Sequence, residues 1–110
     1  MTTASSDIIR GTADMLILKL LEIEPMHGWG LGQAMQRLSR DALRIQPGAL
    51  CAALHRLTRE GWIGSEWRVT ENGQRARYYN LTTAGRRRLV AETKAWKRLA
   101  GGVALILATR

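Results

Sequence analysis

Residues 46–61, QPGALCAALHRLTREG, constrain the fold more than any other stretch of this chain. Pro47 suits a first helical position, where its missing N–H costs nothing, and Gly61 suits the residue just past a helix end. Between them Leu50, Ala53, Leu54 and Leu57 recur at helical spacing and predict one buried face. The opposite face collects Gly48, Ala52, His55, Arg56 and Arg59. It is small at its beginning and basic towards its end, whereas a solvated surface helix more often mixes Glu with Lys. Such a face can approach a polyanion closely, which makes these five residues candidate groove contacts. A solvated helix that merely happens to be basic is the competing reading of this stretch alone.

The period changes after Gly61. Residues 62–69 and 75–81 are rich in β-forming side chains and flank Thr70-Glu71-Asn72-Gly73-Gln74, in which Asn72-Gly73 is a strong hairpin dipeptide. Arg68, Arg75 and Arg77 stud this hairpin, and with Tyr78 they are its candidate DNA contacts. Charged side chains also protect edge strands, so the arginines alone do not decide the matter. Upstream, Met15, Leu16, Ile17, Leu18, Leu20, Leu21 and Ile23 leave almost no polar face, which predicts a helix buried on more than one side. That helix is expected to be capped by Ser5 or Ser6 and to run to about Glu22. Pro25-Met26-His27-Gly28 reads as the turn that follows. Leu31, Ala34, Met35 and Leu38 then repeat at i, i+3, i+4 and i+7 and predict a short second helix. A polar connection over 39–45 follows, with Leu43-Arg44-Ile45 a candidate minimal strand. Three helices and then a two-stranded basic hairpin is the order of a winged helix-turn-helix. In that fold the third helix enters the major groove and the hairpin lies along the backbone.

Composition points the same way. A chain of 110 residues makes one domain with a modest core. Its 17 Lys and Arg against 9 Asp and Glu give a net charge of +8, with a sequence pI of about 11.1. That balance favours nucleic acid or an anionic membrane surface as partner. Cys51 is alone, so neither a disulfide framework nor a cysteine zinc site is expected. His27 has only His55 as a fellow histidine and no carboxylate at ligand-like spacing, so it is expected as a turn residue. Paired carboxylates, a nucleophile with its base and a phosphate loop are all missing, so neither an enzyme nor a cofactor is expected. The opening MTTASSD lacks the basic-then-apolar order of a secretory signal, which makes the cytoplasm the default location. The apolar tail over 103–108 is far shorter than the ~20 residues of a membrane span, so stable membrane insertion is not expected.

Thr82 or Thr83 caps a last helix that begins at about Ala84. Leu89, Trp96 and Val103 recur every seven residues, and Glu92, Leu99 and Ile106 form a second track. Heptad spacing predicts a helix that packs on a second copy of the chain, although Glu92 and Gly101-Gly102 interrupt the pattern. The expected dimer interface comprises Ile9, Leu16 and Leu20 on the first helix with Leu89, Trp96, Leu99, Val103 and Ile106 on the last. The whole is therefore expected to be α+β and mostly helical. Residues 1–83 would form a winged helix-turn-helix DNA-binding domain, and residues 84–110 a C-terminal dimerisation helix.

These residues resemble the PadR family of transcriptional regulators, in its short form with a single C-terminal helix. The resemblance runs through Pro25-Met26-His27-Gly28-Trp29-Gly30-Leu31, Gly48-Ala49-Leu50, Ala53-Leu54-His55-Arg56-Leu57 and Gly61-Trp62-Ile63. It continues in Arg77-Tyr78-Tyr79-Asn80-Leu81-Thr82 and Gly85, in the family's order and spacing. It implies a homodimeric repressor that binds double-stranded DNA at a near-palindromic operator through residues 46–61 and the wing over 69–77. Some relatives are released from DNA by small aromatic compounds. Trp96, mid-seam on the last helix, would then meet its copy near the dimer axis, and two indoles there could sandwich a planar aromatic ligand. Packing as dimer core is the alternative for Trp96. The chain departs from the family at Ala49, Cys51 and Ala52, where Ser, Tyr and Pro are usual. A thiol is a weak donor and replaces the tyrosine hydroxyl poorly at a phosphate. A winged-helix interaction module with weak or lost operator binding is therefore the second functional reading.

Overall fold

Helix α1 (Thr2–Ile23) leads into β1 (Met26–His27), α2 (Gly28–Leu38) and α3 (Pro47–Arg59). Strands β2 (Ile63–Val69) and β3 (Arg75–Leu81) follow, and α4 (Thr83–Leu107) closes the chain. This computed structural model describes the backbone of residues 2–110 and the side chains of residues 12–110. The first helix starts earlier than a cap at Ser5 or Ser6 would allow. The interface role expected of Ile9 lies outside the described side chains.

The turn predicted over residues 25–28 is in part a third strand. Met26 pairs with Tyr79 and His27 with Tyr78, so the antiparallel sheet has the order β1-β3-β2. Two residues are too few to show alternation, and the pairing rests on backbone groups. His27 is also the N-cap of α2: its backbone is extended and its Nδ1 accepts the Gly30 N–H at 2.9 Å. The histidine thus serves the turn, as its isolation in the sequence suggested. Residues 43–45 form no strand; Leu43 and Ile45 instead pack against the core from an irregular connection.

The core lies where α1, α2 and α3 meet the sheet. Ile17, Leu18, Leu31, Leu57 and Ile63 are its most enclosed large side chains, and each contributes about 1.5–3 kcal/mol by leaving water. The predicted inner face of α3 is buried in full: Leu50, Ala53, Leu54 and Leu57 all turn inward. Pro47 occupies the first turn of that helix, and Gly61 takes φ +77°, the left-handed conformation that releases the chain into β2.

Helix α4 is fastened to the body at its first turn. Thr82 Oγ1 accepts the Gly85 N–H at 3.0 Å and donates to the Gly61 carbonyl at 2.7 Å. A Cβ at Gly85 would stand 2.0 Å from the Trp62 carbonyl oxygen, so only glycine lets the helix approach β2 this closely. One turn on, Leu89 is buried in the core. The helix then runs on to Leu107.

Candidate nucleic-acid interface

The outer face of α3 is bare. Gly48, Ala49, Cys51, Ala52, His55 and Arg59 are all exposed. A Cβ at Gly48 would meet nothing within 4 Å, so the glycine answers no packing need inside this chain. Small side chains over the first two turns let another molecule come close to the helix backbone, and His55 and Arg59 follow as polar, projecting groups. Arg59 has no carboxylate partner among the described residues.

Arg56 has a partner within the chain. Its guanidinium pairs with the Asp14 carboxylate on α1 and is only half exposed. Arg56 lies on the flank of α3, one hundred degrees round the helix from His55, where α1 passes. It therefore ties the two helices together, with part of its guanidinium still exposed.

The wing also sorts its arginines. Trp67 faces Arg77 and Val69 faces Arg75, so these four share one surface of the ribbon with Ser65. Arg68 and Tyr78 have the other parity and lie on the opposite surface, with Glu66. There Arg68 donates through Nε and Nη2 to Glu66 Oε1, at 2.9 and 2.6 Å, and stacks on the Tyr78 ring. Tyr78 in turn meets the His27 ring edge-on at 5.1 Å. Of the expected contacts, Arg68 and Tyr78 thus lie on a surface where the arginine already has a counter-charge and the ring links the wing to the start of α2. Arg75 and Arg77 keep their charge uncompensated among the described residues. The hairpin turn is closed by Thr70 N–H to the Gln74 carbonyl at 2.7 Å, with Gly73 at φ +80°.

Bare recognition helix, basic hairpin and connecting glycines follow one another as a winged helix requires, and comparison with known proteins agrees. Residues 17–91 match the model of the transcriptional regulator PadR-like family. The chain belongs to that family. Transcriptional regulator Rv3488 of Mycobacterium tuberculosis is 43% identical over 65 residues, covering 59% of this chain and 60% of that protein. A transcriptional regulator from Clostridium thermocellum superposes with a TM-score of 0.82 at 27% identity, covering 94% of this chain and all of that one, 100%. A PadR family transcriptional regulator from Eggerthella lenta gives 0.81 at 29% identity, covering 99% and 93%. PadR-like proteins are regulators with a DNA-binding winged helix, and the fold of this chain is theirs.

Relative to the PadR pattern, Cys51 is exposed on the flank of α3 where the family's tyrosine would stand. The residues expected at a PadR-type dimer interface divide into two groups. Leu20 and Leu89 are 6% and 5% exposed, closed within the chain's own core, and have little surface left for a partner. Leu16 is half buried beside them. Trp96, Leu99, Val103 and Ile106 stand clear on α4, with Leu99 60% and Ile106 75% exposed. Trp96 divides the space between α1 and α4 into two grooves. One, of about 680 Å³, has Leu16, Leu89 and Val90 in its lining and Lys19, Lys94 and Lys97 at hand. The other, of about 630 Å³, is lined by Met15, Leu99, Val103 and Leu107. Lys19 donates to Glu22 at 2.8 Å and holds that carboxyl below the usual range. Among the described residues no helix is long and apolar enough to cross a membrane.

Proposed function

We propose that this protein is a homodimeric transcriptional repressor, acting in the cytoplasm on double-stranded DNA. The observation that carries the reading is the bare outer face of α3 beside a wing whose Arg75 and Arg77 also lack counter-charges. Gly48 and Ala52 admit the helix backbone to the major groove, His55 and Arg59 reach base edges, and Arg75 and Arg77 neutralise phosphates. Arg56 contributes through α1, by fixing the angle at which α3 is presented.

Dimerisation is supported by the apolar stripe of α4. Trp96, Leu99, Val103 and Ile106 are exposed apolar side chains that recur along α4, and a second copy of α4 would cover them. Residues beyond Leu89 thus act as the dimerisation arm, and residues 1–83 with the first turns of α4 as the DNA-binding body. A twofold axis near Trp96 would bring two indoles together, and a planar aromatic compound stacked between them would alter the spacing of the two recognition helices. Occupied operators would block transcription, and release by such an effector would restore it.

Titration of a labelled duplex at rising salt tests this function. Each phosphate neutralised should contribute about 0.9 to the slope of log affinity against log salt, and Arg75→Ala with Arg77→Ala should remove about twice that. Duplex binding that is absent, or insensitive to salt, refutes the regulator. It would favour the interaction module, for which Ala49, Cys51 and Ala52 on the α3 face are the supporting departures.

A further inference from the structure

Trp67 is the largest exposed side chain of the wing, at 56% accessibility. The guanidinium carbons of Arg75 and Arg77 lie 5.2 and 5.5 Å from its ring centroid. Arg77 is its direct cross-strand partner and Arg75 its diagonal neighbour on the same surface. Arg77 Nε also donates to Ser65 Oγ at 2.9 Å, which fixes the inner part of that side chain. Two cations are thus gathered on one indole, and neither makes an ion pair with a carboxylate among the described residues. Like charges brought together repel, and the electron-rich face of the ring is what offsets that repulsion here. The opposite surface shows the ordinary solution, since Arg68 is neutralised by Glu66.

We infer that Trp67 is a positioning residue for DNA binding, a clamp that holds Arg75 and Arg77 so that the wing grips the DNA backbone by this one surface. The inference rests on the DNA-binding reading above and deepens it. An arginine side chain is long and loses rotamer freedom when it meets a phosphate. Stacking on the indole fixes part of that freedom beforehand and leaves the guanidinium edges, with their N–H donors, turned outward. A pair of guanidiniums gathered at one ring suits a partner with several anionic groups, such as the sugar–phosphate backbone, better than a single carboxylate. Edge protection accounts for the charges but not for the indole that both of them meet.

The test compares Trp67→Leu and Trp67→Phe with the parent on a random-sequence duplex of about three helical turns, across a range of salt. Leu keeps an apolar side chain without a ring face; Phe keeps the face. Trp67→Leu should weaken binding about three- to fivefold, the change that an exposed cation–π contact supports. The salt slope should stay the same, because the cations are still present. Trp67→Phe should restore most of the loss. In an Arg75→Ala, Arg77→Ala background Trp67→Leu should cost nothing further. Parental affinity in Trp67→Leu, or an equal loss in that background, overturns the clamp. A second arm needs no DNA: the Arg75 and Arg77 Hε resonances should lie upfield in the parent, under the ring current, and return in Trp67→Leu. Unshifted resonances in the parent also overturn it. A parent that shows the ring-current shift yet binds no duplex refutes the DNA-binding reading itself, and the role given to Trp67 falls with it.

Discussion

Replacing Gly85 by Ala should loosen the attachment of α4 to the winged body. The added Cβ would stand 2.0 Å from the Trp62 carbonyl oxygen, 2.7 Å from Leu81 Cδ1 and 3.0 Å from the Trp62 carbonyl carbon. Two of these three atoms are backbone, in the residue just before β2, which Thr82 also holds through its N–H to the same Trp62 carbonyl at 3.2 Å. The helix must therefore move by about 1 Å before the contact becomes tolerable, because no side-chain rotation relieves it. Overpacking of this kind costs about 1–3 kcal/mol. The displacement also stretches the Thr82 cap on the Gly85 N–H, a bond that contributes about 1 kcal/mol. Against this, alanine favours helix over glycine by about 1 kcal/mol in a helix interior, and by less so near the first turn. The net expectation is a loss of about 2–3 kcal/mol, or a Tm lower by about 10 °C or more in a domain of this size. Thermal unfolding followed by circular dichroism at fixed protein concentration reads it. A Tm equal to or above the parent's would show that helix propensity outweighs the contact, and the argument for a close approach at Gly85 would fail.

Sedimentation of Leu99→Asp should show a 12.3 kDa monomer where the parent sediments as a dimer, since the charge would enter a desolvated seam; a variant that remains dimeric refutes the α4 interface. Trp96→Leu should keep the dimer and lose about tenfold in affinity for flat aromatic compounds, measured by fluorescence quenching. Undiminished binding would make Trp96 a packing residue. Arg59→Ala should lower the salt slope or relax base preference, whereas Arg56→Ala should leave the slope within error and reduce stability by no more than about 1 kcal/mol, the usual range for a half-exposed pair. A slope changed by Arg56→Ala would place that guanidinium on DNA after all.

Most elements were legible because their hydrophobic periods were long enough to see. Leu50, Ala53, Leu54 and Leu57 announced the buried side of α3, and all four are buried. The heptad over 89–106 announced a long last helix, which runs through Gly101 and Gly102 without a break. Strand β1 escaped notice because two residues carry no period. The ion pair of Arg56 was not legible because its partner is 42 residues away, and only the rotation of α1 decides that Asp14 faces it. The split among the wing arginines depends on register: once Trp67 pairs with Arg77, parity puts Arg75 on the same surface and Arg68 on the other. That register follows from the five-residue connection over 70–74, whose length was visible but whose closing bonds were not. Leu20 was assigned to a partner on apolar character and Leu89 on heptad spacing, and neither signal distinguishes a chain's own core from an interface.

The central claim is that two copies of this chain present paired α3 helices and wings to one duplex. Selection of bound sequences from a random duplex pool, by the purified full chain, tests it most directly. The account predicts enrichment of a twofold-symmetric motif with half-sites about one helical turn apart, or a multiple of that spacing, where the DNA returns the same groove to each protomer. Enrichment of an asymmetric motif, or none above the starting pool, would contradict it.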